Sequence, residues 1–167
     1  MPPNNSAITP NRNEATCIAQ SLCSMTSVDH TYGSRTFASS LVPCQYQNQA
    51  ARCLPDDLGG GALRALVLVD MIGSPGLLLS RDPGSTHALW ALTEQAAAEL
   101  GYQQVISHQQ HGLIEDDHTP FAALGIPAID LIDFENLQHW HQPTDDLSHI
   151  DFDSMERAAR IALLVAL

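Results

Sequence analysis

Two nearly continuous apolar segments, ALRALVLVD at 62–70 and IPAIDLIDF at 126–134, constrain the fold of this chain more than any other feature. Each has the length of a strand, and apolar runs without alternation are typical of strands buried on both faces of a sheet. Helical patterns at 85–101 and 151–167 follow these segments. Strands that alternate with helices predict an α/β three-layer sandwich with a mainly parallel, mixed sheet.

Shorter signals complete the predicted element order. Ser85 is expected to cap the helix at 85–101, and Asp153 and Glu156 have capping-box spacing at the start of the last helix. Residues 1–23 are polar and without periodicity, which predicts a poorly ordered N-terminal segment. We further predict a short helix at 31–41, a loop at 44–61, a short strand at 104–107 and one or two helical turns at 119–125.

The charge balance narrows the classes of function. The chain of 167 residues, long enough for one domain with a sizeable core, has 19 acidic and 7 basic residues and a formal charge of −12. Nucleic-acid binding needs a basic face, so no nucleic-acid partner is expected. The acidic residues could bind a metal ion or another cation, or they could only make the surface soluble. The longest apolar run, at 161–167, is too short to span a membrane, and no signal-peptide pattern is visible.

The cysteines leave the redox state open. All of them lie in the first third of the chain, at Cys17, Cys23, Cys44 and Cys53. They form no CxxC pair, so a zinc-ribbon site is disfavoured. Unpaired thiols and one or two disulfides are both compatible with this spacing.

Three aspartates lie in or directly after the two apolar segments. Asp70 ends the first, whereas Asp130 lies within the second and Asp133 near its end. Ligands of α/β sheets bind at the carboxyl ends of the strands, and a carboxylate buried without a partner is costly. Asp70 is therefore a candidate site residue, the alternative being a carboxylate that accepts hydrogen bonds from backbone N–H groups of a loop.

Two further polar features could join these aspartates. Glu115, Asp116, Asp117 and His118 stand together before a proline-started helical turn, and His141 follows Trp140 in a later loop. Each has an ordinary alternative, since an Asp/His cluster is often an N-cap and a single loop histidine is often exposed. Histidine and carboxylate ligands drawn from several strand ends are nevertheless what a zinc site requires.

Five ordered motifs carry a resemblance to a known family. They are YGSR preceded by Asp29, LVDMIG, EDDHTPF, GIPAIDLIDF, and WH with an aspartate four residues after the histidine. Together they resemble metallopeptidase family 28, in particular its glutaminyl-peptide cyclotransferase branch and the bacterial aminopeptidase-like relatives. The resemblance covers roughly residues 24–165. It implies a hydrolase-like α/β fold, zinc as cofactor and the N-terminus of a peptide as substrate.

The resemblance also implies roles for single residues. Asp70 matches an aspartate that binds a second zinc in the aminopeptidases and hydrogen-bonds within the site in the cyclases. Asp116 matches the acid that orients the reacting group, and His141 matches a zinc-binding histidine. Trp140 matches the wall of the substrate pocket, where Asp130 is also expected.

The chain departs from the family pattern at its zinc ligands and its base. In the family, one glutamate of an adjacent Glu-Glu pair binds zinc and the other is the general base, and a further aspartate comes from an early strand. The sequence contains no Glu-Glu, and Gln142 replaces a threonine that commonly follows the histidine. Residues 24–167 are therefore expected to form a partial domain that lacks the family's N-terminal strands.

Three consequences are expected from this departure. Zinc binding should be weak or incomplete, and catalysis should be absent. The strand that ends at Asp70 should have an exposed edge, which favours self-association. The alternatives are a non-catalytic binding remnant of the family, or an unrelated acidic α/β domain.

Overall fold

The computed structural model describes residues 31–167. The predicted N-terminal segment at 1–23, together with Cys17 and Cys23, lies outside the described residues. Among these residues, four α-helices are present: α1 at Tyr32–Ser40, α2 at His87–Leu100, α3 at Thr119–Ala123 and α4 at Phe152–Ala166. The strands are β1 at Val42–Tyr46, β2 at Gln49–Cys53, β3 at Leu66–Asp70, β4 at Leu79–Arg81, β5 at Ile106–Gln110 and β6 at Ala128–Ile132.

The main sheet has four strands in the order β3-β6-β4-β5. The β3–β6 and β4–β5 pairs are parallel, whereas β4 and β6 are antiparallel. The predicted mainly parallel, mixed sheet is thus confirmed. Leu66 pairs with Ala128 and Asp70 with Ile132, so the carboxyl ends of β3 and β6 lie at the same edge of the sheet.

Helices pack on both faces of this sheet. Strand side chains alternate between faces, and Ile129 and Leu131 belong to the apolar cluster that includes Trp90 of α2 and Ile161 of α4. Ala128 belongs to a second cluster with residues of α1 and α3. All five residues of β6 are buried, as the apolar segment predicts. The three-layer arrangement is therefore that of an α/β sandwich.

The predicted loop at 44–61 is wrong over its first half. β1 and β2 form an antiparallel hairpin in which Tyr46 pairs with Gln49. The two turn residues, Gln47 and Asn48, both have positive φ, as a tight two-residue hairpin turn requires. A disulfide joins Cys44 and Cys53. The polar composition of the hairpin hid this pairing, because its strands lack an apolar alternation.

Several boundaries also differ from the predictions. The helix expected from Ser85 starts at His87 after Thr86, and the last helix is capped by the Asp151 side chain rather than by a box at Asp153. The strand expected at 104–107 begins at Ile106, because a 3₁₀ turn occupies Gln103–Val105. The three-residue strand β4 was not predicted, since it is too short to show a period. No helix in the described part of the chain is long and apolar enough to cross a membrane.

Candidate active site

Asp70 ends β3 at the edge where β3 and β6 both terminate. Its Oδ1 accepts a hydrogen bond from the backbone N–H of Met71 at 2.9 Å. Met71 has a φ of 51°, in the left-handed region that residues other than glycine rarely adopt. The chain therefore turns sharply directly after the strand and leaves the carboxylate at the start of a loop.

Asp116 lies in a turn that precedes α3. The backbone N–H of Asp117 donates to its Oδ1 at 2.6 Å. Thr119 closes the turn, because its N–H donates to the Asp116 carbonyl at 2.8 Å and its hydroxyl accepts from the Asp116 N–H at 3.3 Å. These bonds give the Asp116 carboxylate a defined local position.

Asp116 lies close enough to Asp70 for its charge to act on the Asp70 carboxyl group, whereas a shared catalytic site for the two residues stays a prediction. Burial raises the pKa of Asp70 above its ordinary value, and the negative charge of Asp116 raises it further. A side-chain hydrogen bond with Asp116 acts in the same direction, whereas the bond from Met71 opposes it. The Asp70 carboxyl group therefore keeps its proton to a higher pH than an ordinary aspartate does.

Asp130 is the third acid of this group. It lies in the middle of β6 with no exposed side-chain area. Burial raises the pKa of Asp130 from 3.8 to about 8, with further contributions from the charges of Asp116, Asp70, Asp82 and Asp117 in decreasing order. The Asp130 side chain is thus largely protonated at neutral pH. Its expected place beside Trp140 in a substrate pocket stays a prediction.

Asp82 and His118 complete the acidic group on its buried side. His118 Nε2 lies 3.0 Å from Asp82 Oδ2, and His118 Nδ1 lies 3.9 Å from Asp130 Oδ2. Sequence reasoning did not single out Asp82, although it lies three positions after the apolar run LLL at 77–79, a weaker form of the signal that marked Asp70. His118 was named only as a neighbour of Asp116.

Asp133 has a structural part in the loop after β6. Its Oδ1 accepts from the backbone N–H groups of Glu135 and Asn136 at 3.2 and 3.1 Å. Its Oδ2 accepts from the Leu78 N–H at 3.3 Å and the Asn136 amide at 2.7 Å. Four donors satisfy this buried carboxylate, so it organises the loop that leads to Trp140.

A second polar cluster, also missed from the sequence, supports the same loop. Glu135 Oε1 accepts hydrogen bonds from the hydroxyls of Ser80 and Ser107, and it lies 3.7 Å from His111 Nε2. His111 packs edge-on against Phe134. These contacts attach the loop to β4 and β5, the two strands that carry the serines.

Trp140 and His141 stack on each other in this loop. Their ring centroids lie 4.1 Å apart, and Phe134 packs edge-on against Trp140 at 6.1 Å. Trp140 lines a cavity of about 270 Å³ together with Met71, the residue after Asp70, and His139. The position of Trp140 is thus compatible with a pocket wall, the role that the resemblance implies.

His141 is exposed and has a φ of 57°. Within residues 31–167, its described contact is with Trp140, and no described contact joins it to Asp70 or Asp116. The same residues contain no group of three or more His, Cys, Asp or Glu side chains arranged to hold a metal ion. The residues present therefore do not form a complete zinc site, and the zinc-binding roles of His141 and Asp70 stay predictions.

Comparison with known proteins places this geometry in a family context. The model of peptidase family M28 matches residues 29–166. The glutaminyl-peptide cyclotransferase of Bos taurus is 29% identical over 145 residues, which are 80% of this chain and 39% of that protein. The one of Drosophila melanogaster is 26% identical over 61% of this chain and 34% of that protein. The chain thus spans well under half the length of these curated relatives.

Solved structures show the same fold. The glutaminyl cyclase of an Acidobacteriales bacterium superposes with a TM-score of 0.66 at 29% identity, over 85% of this chain and 46% of that one. A leucine aminopeptidase precursor from Bacteroides thetaiotaomicron superposes with a TM-score of 0.61 over 81% of this chain and 42% of that one. The second similarity, at 22% identity, concerns the fold alone.

Proposed function

Because this chain belongs to peptidase family M28, we propose that it carries the acid group and the pocket wall of a site that acts on the N-termini of peptides. An unrelated acidic α/β domain is thereby excluded. Within the family, cyclotransferase chemistry is favoured over aminopeptidase chemistry, since the Bos taurus and Acidobacteriales relatives at 29% identity are both named for the cyclase. The aminopeptidase similarity concerns only the fold.

The observation that carries this proposal is the pair of Asp70 and Asp116, in which Asp70 ends β3 at the carboxyl edge of the sheet and the charge of Asp116 acts on it. Cyclisation of an N-terminal glutamine forms a bond from the α-amine to the γ-carbonyl carbon and expels the amide nitrogen as ammonia. The amine must lose a proton and the leaving nitrogen must gain one. A carboxyl group whose pKa is raised by burial and a neighbouring acid can hold and return such a proton more readily than an ordinary aspartate.

Polarisation of the amide carbonyl is the chemistry that zinc supplies in this family. The described residues do not form a complete zinc site, and the sequence has no Glu-Glu pair to provide a ligand and a base. We propose on these grounds that the 167-residue chain does not turn over by itself. Glu115 is a poor substitute for the base, because it adjoins Asp116 in the same turn.

The test compares the chain with a fusion that adds the segment carrying Glu-Glu from a family member. With zinc present, ammonia release from a glutaminyl peptide and amine release from an aminoacyl anilide are measured for both. We expect no turnover from the chain and cyclase turnover from the fusion. In the fusion, Asp116→Asn should lower kcat by about 10²–10⁴-fold, the usual contribution of proton transfer. His141→Ala should abolish activity, whereas the matched control Glu115→Gln should not.

Two outcomes would contradict the proposal. Zinc-dependent turnover by the 167-residue chain that His141→Ala removes would show that the site is complete as it stands. An active fusion that Asp116→Asn leaves unchanged would show that the acid pair does not take part in the reaction.

A further inference from the structure

A buried histidine stands beside the acid pair, and the proposed reaction makes no use of it. His118 has 1% of its area exposed, and the two carboxylates that flank it, Asp82 and Asp130, have none. One ring nitrogen faces Asp82 at 3.0 Å and the other faces Asp130 at 3.9 Å. The imidazole is therefore held between two elements, β6 and the segment that follows β4, and is almost fully shielded from solvent.

Asp82 contacts the turn of Asp116 at two points. Its Oδ1 accepts a hydrogen bond from the backbone N–H of Ile114 at 2.9 Å, and its Oδ2 lies beside His118 Nε2. Ile114 and His118 bracket the turn residues Glu115, Asp116 and Asp117. One carboxylate thus attaches both ends of this turn to the body of the domain.

The contact also depends on a glycine. A Cβ atom on Gly84 would lie 2.8 Å from Asp82 Oδ2, 3.0 Å from Leu113 Cδ1 and 3.3 Å from His118 Nε2. Because real Cβ atoms essentially never approach a heavy atom within 3.0 Å, any side chain here would displace the carboxylate. Gly84, Asp82 and His118 therefore form one packing unit, the Asp82–His118 clamp.

The hydrogen bonds within the turn give it shape but do not attach it to the sheet. Those bonds join Asp116 to Asp117 and Thr119. The His118 carbonyl also accepts from the N–H groups of Phe121 and Ala122, the first turn of α3. His118 is thus the point at which turn, helix and Asp82 meet.

We propose that His118 is a positioning residue, which acts through the Asp82–His118 clamp to hold the Asp116 carboxyl against Asp70. The proposal deepens the proposed function and rests on it, because it takes Asp116 to be an acid of the reacting site. His118 itself does not touch the substrate. Its effect is to fix the location of the turn, and with it the distance between the two acids.

The backbone N–H of Asp117 provides a reporter that needs no turnover, since it donates to Asp116 Oδ1. Amide hydrogen exchange, followed by NMR on the 167-residue chain, measures how often this bond opens. His118→Leu should speed exchange at Asp117 by about tenfold to a hundredfold, because it removes the imidazole beside the buried Asp82 carboxylate and leaves that group without a polar neighbour there. His118→Gln, which keeps a donor that can reach Asp82, should restore most of the protection.

Two further variants separate positioning from stability. Ile161→Ala removes buried apolar area from α4 and should lower the melting temperature without affecting Asp117 exchange. Gly84→Ala leaves Asp82 and His118 chemically unchanged and should speed Asp117 exchange as His118→Leu does. It tests the same contact if His118→Leu does not fold.

Unchanged Asp117 protection in both His118→Leu and Gly84→Ala would overturn the proposal. Equal loss of protection in Ile161→Ala would overturn it too, because His118 would then act through stability alone. Failure of the proposed function alone gives a different result. Amide exchange then shows an intact clamp in the fusion, while Asp116→Asn leaves the turnover of the fusion unchanged.

Discussion

At the scale of single residues, Asp130 shows how strongly burial changes the pKa of a carboxyl group. It stands in a strand whose neighbours are Ile129 and Leu131, so its carboxyl group has lost the water that would stabilise its charge. Four further aspartates contribute negative charge around it. A neutral Asp130 removes one negative charge from this group. The acid pair of Asp70 and Asp116 can therefore lie close together without a basic partner from Lys or Arg.

We predict that Asp130 makes the stability of the domain fall as pH rises. Its pKa is about 8 in the folded chain and about 3.8 when unfolded, so the folded state binds more protons between these values. The contribution is fully present below about pH 4 and is lost progressively up to about pH 8, on the order of several kcal/mol in all. Urea unfolding from pH 5 to pH 8 measures this slope.

Asp130→Asn should flatten the dependence of unfolding free energy on pH. The stability of this variant relative to the native chain should therefore increase toward pH 8. Asp57→Asn, at an exposed position, serves as the matched control and should keep the native slope. Equal slopes for the native chain and Asp130→Asn would show that Asp130 is ionised in the folded state.

At the scale of elements, β3 combines the site with a structural weakness. Its carboxyl end carries Asp70, and β6 is its one partner in the described sheet. β3 is an edge strand in the described part of the chain, yet Leu66, Val67, Leu68 and Val69 are all apolar. Edge strands of soluble proteins usually carry charges, prolines or bulges that prevent pairing with another chain. β3 has none of these before Asp70.

We predict that the 167-residue chain self-associates through β3. Val69 has 41% of its area exposed, and Val69→Lys should shift the chain toward monomer because a charged edge opposes strand pairing. Leu163→Lys, at an exposed position of α4, is the control and should leave association unchanged. Light scattering over a range of concentrations gives the measurement, and a single monomer peak for the native chain throughout would contradict this prediction.

At the scale of the whole molecule, the described residues bring together the acidic part of the candidate site but not His141. The charges of Asp70 at the end of β3 and of Asp116 in the turn before α3 act on Asp130 in the middle of β6. His141, by contrast, stacks on Trp140 in an exposed loop. A stable zinc site needs three or four protein ligands in tetrahedral geometry. Residues 31–167 contain no group of three or more His, Cys, Asp or Glu side chains arranged to hold a metal ion.

We therefore predict weak, sub-stoichiometric zinc binding by the purified chain. Two ligands, Asp70 and His141, are too few to hold the ion through a chelator wash. His141→Ala should lower the affinity for zinc further. Elemental analysis after dialysis against a chelator is the measurement. One zinc retained per chain would contradict the prediction and would require ligands that the described residues do not bring together.

The sequence by itself determined the strands at 66–70 and 128–132, the helices α2 and α4, and the placement of acids at strand ends. These features follow from local apolar periodicity, which a single segment carries. The family resemblance, drawn from ordered motifs, is likewise readable along the chain. The position of Asp70 at a strand end followed from this reading, whereas the place of Asp116 in the same site is implied by the family resemblance and stays a prediction.

Only the tertiary structure decided the rest. Asp82 lies beside His118 across 36 positions of sequence, and Asp130 acquires its raised pKa from burial and from acids on three other segments. The short strand β4 exists because of its pairing with β5 and β6, not because of its own composition. Burial, charge proximity and strand pairing are properties of contacts between distant segments. No local pattern contains them, and for that reason they appear only when the chain is folded.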